Sequence, residues 1–190
     1  MLIASFYDTA FTRQFAWKLR ATAEGLGMKC RVFDRSGVSG LEGKSGWKPE
    51  AILRTLAAYP QNDVLLVDPD SILNRRPDIL LDEHDYDAAV HYDVETLAPS
   101  GPLFVRNNDR VRRMMEVWHD VNRALPEHGD LENLSRVLSH AQCPLEIRRL
   151  PVTYAWVERL HRPRHPSGRP VLTHFWTDGM ITTRMKVARS

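Results

Sequence analysis

The sequence predicts an α/β domain, and three observations carry that prediction. The chain opens as strand, helix, strand: an apolar run at Leu2–Phe6, apolar residues at helical spacing over about 10–26, then a second short run at Lys29–Asp34. That order predicts a parallel pair joined by a right-handed crossover. Val64-Leu65-Leu66-Val67 is wholly apolar, the composition of a strand buried on both faces. Finally, 43% of the 190 residues are apolar, enough for one core. A single domain over 1–190 is expected, with the tail after about 177 peripheral.

In the first helix, Phe11, Phe15, Leu19, Thr22 and Leu26 recur as the apolar stripe, and Gly25 and Gly27 punctuate its end. Residues 35–46 hold four glycines and read as a mobile loop able to order over a ligand. Its Gly43-Lys44-Ser45 is not a phosphate-binding Walker loop, because the required earlier glycine is missing. Trp47-Lys48-Pro49 opens a helix, with Pro49 suited to the first turn and Ile52, Leu53 and Leu56 as the buried stripe. Tyr59–Asn62 ends it, and the 64–67 strand follows.

Residues 74–81 read as a short helical turn, 86–92 as a strand, and Ser100–Val105 as another. Asn108 is suited to cap the next helix, whose face is Val111, Met114, Met115, Trp118, Val121 and Leu125. This Met/Trp stripe reads as core. Asp130 opens a helix carrying Leu131, Leu134, Val137 and Leu138. Leu145–Leu150 is a strand, 158–169 a loop rich in Arg, His and Pro, and Val171–Phe175 the last strand.

The chemistry concentrates where the 64–67 strand ends, in Asp68-Pro69-Asp70. Pro69 cannot continue a central strand and pushes Asp68 toward an extended backbone. Both acids therefore fall in the crevice beyond the strand's carboxyl end, where open α/β sheets bind ligands. Two close carboxylates repel unless a cation sits between them. All-oxygen ligation suits Mg²⁺ or Mn²⁺, and such ions bridge phosphate oxygens. The competing reading is a solvated Asp-Pro-Asp turn.

A net charge of +2 and a pI near 8.6 are too mild to point to nucleic acid. Cys30 and Cys143 are far apart and belong to no metal-binding or redox spacing, so neither a disulfide scaffold nor a structural zinc site is indicated. No secretory leader and no membrane-spanning run is legible, and a soluble cytoplasmic protein is expected.

Taken in order, the motifs are Tyr7 at the end of the first strand, Ser45-Gly46-Trp47-x-Pro49, Leu-Leu-Val-Asp68-Pro-Asp70, Ser100-Gly101-Pro-Leu-Phe, Trp118, Asp130, Leu150-Pro151, and Val171-Leu-Thr-His174-Phe. Together, from about 3 to 176, they resemble the nucleotide-diphospho-sugar transferases, the GT-A-type glycosyltransferases, and within them short bacterial and phage-type members. The resemblance implies a Rossmann-like, mixed, mainly parallel sheet flanked by helices. It implies metal-dependent transfer of a sugar from a UDP- or GDP-sugar to a hydroxyl acceptor: a glycan, a protein, a small molecule or a modified base.

Residue by residue, Asp68 and Asp70 match the Asp-x-Asp that holds Mn²⁺ or Mg²⁺ on the diphosphate, with Asp70 the stronger ligand and Asp68 able to face the ribose. His174 matches a histidine completing the metal site, where mixed O/N ligation favours Mn²⁺; its alternative is a hydrogen-bonded core histidine. Lys48 matches a lysine that contacts phosphate or donor sugar, and a cation is not favoured at a helix N-terminus for structural reasons. Tyr7, with Ser5 beside it, matches the nucleobase seat. Ser100 and Gly101 match a turn lining the donor-sugar pocket. Asp130 matches an acid that positions sugar or acceptor and is a candidate catalytic acid or base with Asp70 and Lys48, although Leu131 stands where the family has Gln; as a helix N-cap it needs no catalytic role. The basic run Arg159–Arg169 either closes over the diphosphate, meets an anionic acceptor, or is a solvated loop. Two rival functions remain, a nucleotidyltransferase and a non-catalytic binding or interaction domain on the same fold.

Overall fold

In the computed structural model, residues 1–37, 47–82, 85–92, 99–140 and 145–175 are described, without the side chains of 99–101. Most of the glycine-rich stretch including Ser45-Gly46, Cys143, the tail, and the side chain of Ser100 lie outside the described residues. The strands are β1 (Leu2–Tyr7), β2 (Cys30–Asp34), β3 (Val64–Leu66), β4 (Ser71–Leu73), β5 (Ala88–Tyr92), β6 (Pro99–Val105), β7 (Ile147–Arg149) and β8 (Leu172–His174). The helices are α1 (Ala10–Gly25), α2 (Trp47–Ala58), α3 (Asp109–Ala124), α4 (Asp130–Ser139) and the single turn α5 (Glu158–His161).

Six strands form one sheet in the order β2-β1-β3-β6-β5-β7, and β4 pairs with β8 in a separate two-stranded ribbon. In the large sheet β6 runs against its neighbours and the other five strands share a direction. This is the expected mixed, mainly parallel α/β architecture. Val64, Leu65, Leu66 and Val67 are all buried, as a strand covered on both faces requires. Ala4, Leu66 and Leu103 face a core with Trp47, Ile52, Met115 and Trp118. Ile3, Leu65 and Phe104 face the other core, with Leu19, Tyr154 and Leu172. The alternation of 3 with 4 and 65 with 66 is the period-two pattern of a pleated strand.

Thr9 caps α1 through a reciprocal box, its hydroxyl accepting from Thr12 N at 3.1 Å while Thr12 Oγ1 accepts from Thr9 N at 3.0 Å. The buried side of α1 is Ala16, Leu19 and Ala23, and Phe11 is exposed. The expected Phe11–Phe15 stripe is thus rotated outward. The small alanines let the helix lie close on β1 and β4, and Phe11 packs edge-on against Phe15 at 5.0 Å instead. Asn108 caps α3 as expected, accepting from Val111 N at 2.9 Å. At α4 the cap is Gly129, and Asp130 is the first helical residue.

The ribbon strand β4 lies where no strand was expected; three residues are too few for periodicity to register. The 158–169 segment is not a solvated loop throughout. Trp156 is fully buried beneath it, its indole N–H donates to Glu158 Oε2 at 2.6 Å, and the Arg162 guanidinium lies 5.1 Å from the indole centre. A Cβ at Gly168 would meet the Trp156 ring at 2.5 Å, and that enclosed ring has no room to retreat. Gly168→Ala is expected to cost about 1–3 kcal/mol through overpacking. Chemical denaturation checks this; an unchanged midpoint would show that the segment yields.

Candidate active site

β1, β2 and β3 are parallel, so the residues following them, Asp8, Arg35 and Asp68, emerge at one edge of the sheet. β6 runs against β3 and brings Pro99–Gly101 to the same edge. The backbone of Val67 still pairs with Ala4 O at 2.9 Å, and the acids begin one residue later. Asp70 is then fixed from the other side, because its carbonyl accepts from Phe175 N at 2.7 Å where the ribbon starts. Asp68 and Asp70 are therefore held between two sheets, not carried on a solvated turn.

Lys48 Nζ lies 2.8 Å from Asp68 Oδ1, with the lysine side chain only 13% exposed. The cation at the start of α2 is accounted for by this carboxylate. Burial, and after it the charge of Asp68, pushes the Asp70 carboxyl up to about 6. Its own backbone N–H and the Lys48 ammonium oppose that rise.

His174 is buried at the end of β8, directly across from Ser71. Its Nδ1 and the Ser71 hydroxyl are 2.8 Å apart, and its Nε2 is 3.4 Å from Tyr154 O. Burial lowers its pKa, with the Asp68 charge acting the other way. A neutral ring donating from Nε2 and accepting at Nδ1 satisfies both contacts. Among the described residues no three His, Cys, Asp or Glu side chains gather into a ready metal-ligand set. Coordination by His174 requires one of its two ring contacts to open.

Tyr7 ends β1 opposite Asp34. A hydrogen bond from its phenol to the Asp34 carboxylate raises the Tyr7 pKa. Asp34 is in turn held low, first by the Ser36 backbone N–H at 2.8 Å and then by the Ser36 hydroxyl at 2.7 Å. The Arg13 guanidinium stands 5.8 Å from the Tyr7 ring centre. Ser5 is wholly enclosed, and among the described residues its hydroxyl has no hydrogen-bond partner. Asp130 belongs to another group. Its Oδ1 accepts from the buried Asn122 amide at 3.0 Å, its carbonyl accepts from the Trp118 indole at 3.0 Å, and its charge acts on Arg35.

The structure thus brings together Asp68, Asp70, Lys48 and His174, and sets Asp130 where its charge acts on Arg35. Sequence reasoning missed Asp34, Ser71 and Arg35. The first and last had a legible signal, since both stand at the carboxyl end of a predicted parallel strand.

The fold matches a solved glycosyltransferase involved in glycosylation of the major capsid of PBCV-1, with a TM-score of 0.71 and 11% identity over 100% of this chain and 98% of that one. This is the GT-A glycosyltransferase fold. The same GT-A arrangement relates it to the glycosyltransferase GlyE of Streptococcus pneumoniae TIGR4 at a TM-score of 0.59 and 12% identity, covering 93% of this chain and 54% of GlyE. The chain thus spans about half the length of GlyE. The galactosyltransferase LgtC, solved with donor and acceptor sugar analogues, matches at a TM-score of 0.50 and 13% identity over 94% of this chain and 88% of LgtC. No family model and no curated protein matches the sequence. Among the described residues, no helix is long and apolar enough to cross a membrane.

Proposed function

We propose that this chain transfers a sugar from a UDP- or GDP-sugar to a hydroxyl acceptor, with Mn²⁺ or Mg²⁺ held by Asp68 and Asp70. The observation that carries this reading is a pair of carboxylates pinned at the carboxyl edge of a parallel sheet, where burial, and after it the charge of Asp68, holds Asp70 up at about 6. Natural pairs of this kind are relieved by a cation. The donor set consists of hard oxygens, and Mg²⁺-type sites commonly use one or two carboxylates plus substrate phosphates without a full protein cage. The residues present therefore suit such an ion without calling on His174. Once bound, the ion supplies a positive charge for the departing diphosphate.

The chain's own residues have distinct tasks in this reading. Lys48 orients Asp68 and presents an ammonium to the phosphates. Tyr7, its ring fixed through Asp34, faces the nucleobase. The backbone at Ser100 and Gly101 borders the donor sugar. Ser71 and His174 hold the ribbon against Asp70, and Asp130 positions the acceptor side.

Thermal unfolding with UDP, with and without Mn²⁺, tests the donor site. At a ligand concentration of about 100 Kd, binding adds about 2.7 kcal/mol of stability, a shift of roughly 5–10 °C for a domain of this size. The shift is expected to require Mn²⁺ and to vanish in Asp70→Ala. A UDP shift indifferent to both would remove the metal–diphosphate site. Release of UDP from a UDP-sugar then separates an enzyme from a binding domain, and release of pyrophosphate from UTP would identify a nucleotidyltransferase.

A further inference from the structure

Arg35 follows β2 directly and is 4% exposed, yet among the described residues its Nε and Nη2 have no hydrogen-bond partner. Its guanidinium lies 4.6 Å from the Trp47 ring centre and 6.0 Å from that of Phe6. Stacking satisfies the face of the guanidinium and leaves its edge donors unmet. Nε and Nη2 form the side-on fork whose two parallel N–H groups match the two oxygens of a carboxylate or phosphate. The neighbouring Trp47 indole N–H is also buried and has no partner among the described residues.

Three acids act on Arg35 at a distance, Asp8, Asp130 and Glu50, and each is engaged elsewhere. Asp8 accepts from the Thr12 hydroxyl at 3.0 Å, Glu50 pairs with Arg54 at 2.5 Å, and Asp130 accepts from Asn122 at 3.0 Å. Their attraction does not offset burial, which pushes the Arg35 pKa down. A buried cation with two orphaned donors is costly to the folded chain.

We infer that Arg35 and Trp47 form a binding site for an oxyanion, a carboxylate or phosphate group taken bidentate by the Arg35 fork. The site is built by residues other than Asp68 and Asp70 and stands whether or not the chain is a transferase. Its guanidinium is already oriented by the Trp47 and Phe6 rings, so binding has to uncover the fork but not to turn it.

Melting curves of the metal-free protein test the site, with sodium phosphate, sodium glucuronate and neutral glucose added at constant ionic strength. A saturable rise with phosphate or with glucuronate is expected, and the stronger response identifies the group. Arg35→Met is expected to melt a few degrees higher than wild type without ligand and to lose the saturable rise. Arg35→Lys keeps the charge without the fork, and at least about a tenfold loss of affinity is expected. A less stable Arg35→Met would assign the residue to structure and overturn the site. So would an equal response in wild type and Arg35→Met, or an Arg35-dependent response to glucose as large as that to glucuronate.

Discussion

Asp70→Asn is expected to make the metal-free protein more stable at pH 7.5 while cutting transfer by about three orders of magnitude. The two effects share one cause. The folded Asp70 carboxyl is held up at about 6, above its ordinary value, first by burial and then by Asp68. Between about pH 4 and 6 the folded chain therefore binds this proton more tightly than the unfolded chain, so stability falls as pH rises through that window. Above about 6 the whole penalty persists, roughly 2–3 kcal/mol. Asparagine carries no charge to desolvate, so the variant gains most of that at pH 7.5 with EDTA, and the difference closes near pH 4. Adding Mn²⁺ and UDP should reverse the order, since only wild type has the full acid pair. A loss of several kcal/mol of leaving-group stabilisation corresponds to the expected fall in turnover. Urea denaturation at pH 4.5 and 7.5, paired with UDP release, reads both. A less stable Asp70→Asn at pH 7.5, or one that retains turnover, would separate Asp70 from the proposed site.

The elements with long or one-sided patterns were legible in the sequence: β1, α1, β2, α2 and α3 fall within a residue or two of their expected spans. The orientation of α1 was not, because large aromatic residues look like core in a count of apolar spacing. What seats the helix is the small Ala16/Ala23 face, which depends on how closely the sheet approaches. Asp68 and Asp70 could be found because proline placed them at a strand end, a purely local cue. Nothing local could show that Lys48 would meet Asp68, or that Ser71 would meet His174 from 103 positions away. Arg35 looked like any loop cation, since a missing hydrogen-bond partner is visible only once the surrounding chain has folded.

Asp87→Ala is expected to be the most damaging substitution away from the site, at about 3–5 kcal/mol. Asp87 precedes β5 and is 2% exposed. Its Oδ1 accepts from the Asn108 amide at 2.8 Å and from Arg110 Nη2 at 2.9 Å, while its Oδ2 accepts from Glu146 N at 3.0 Å. One carboxylate thus joins the start of β5, the turn from β6 into α3, and the chain entering β7. Asn108 is also the cap of α3, so loss of Asp87 releases the residue that fixes the helix start. Alanine leaves the Asn108 amide and the Glu146 N–H without their acceptor, and these account for most of the cost, since the half-exposed Arg110 can turn to water. At about 2–4 °C per kcal/mol, a fall of roughly 6–20 °C in melting temperature follows. β5 is parallel to β3, which places Asp87 at the sheet edge opposite Asp68. Donor affinity per folded molecule should therefore be unchanged at 10 °C. If the variant melted like wild type, water would have to serve the three donors in place of the carboxylate; if it also lost UDP binding while folded, the two edges of the sheet would be coupled in a way their separation does not suggest.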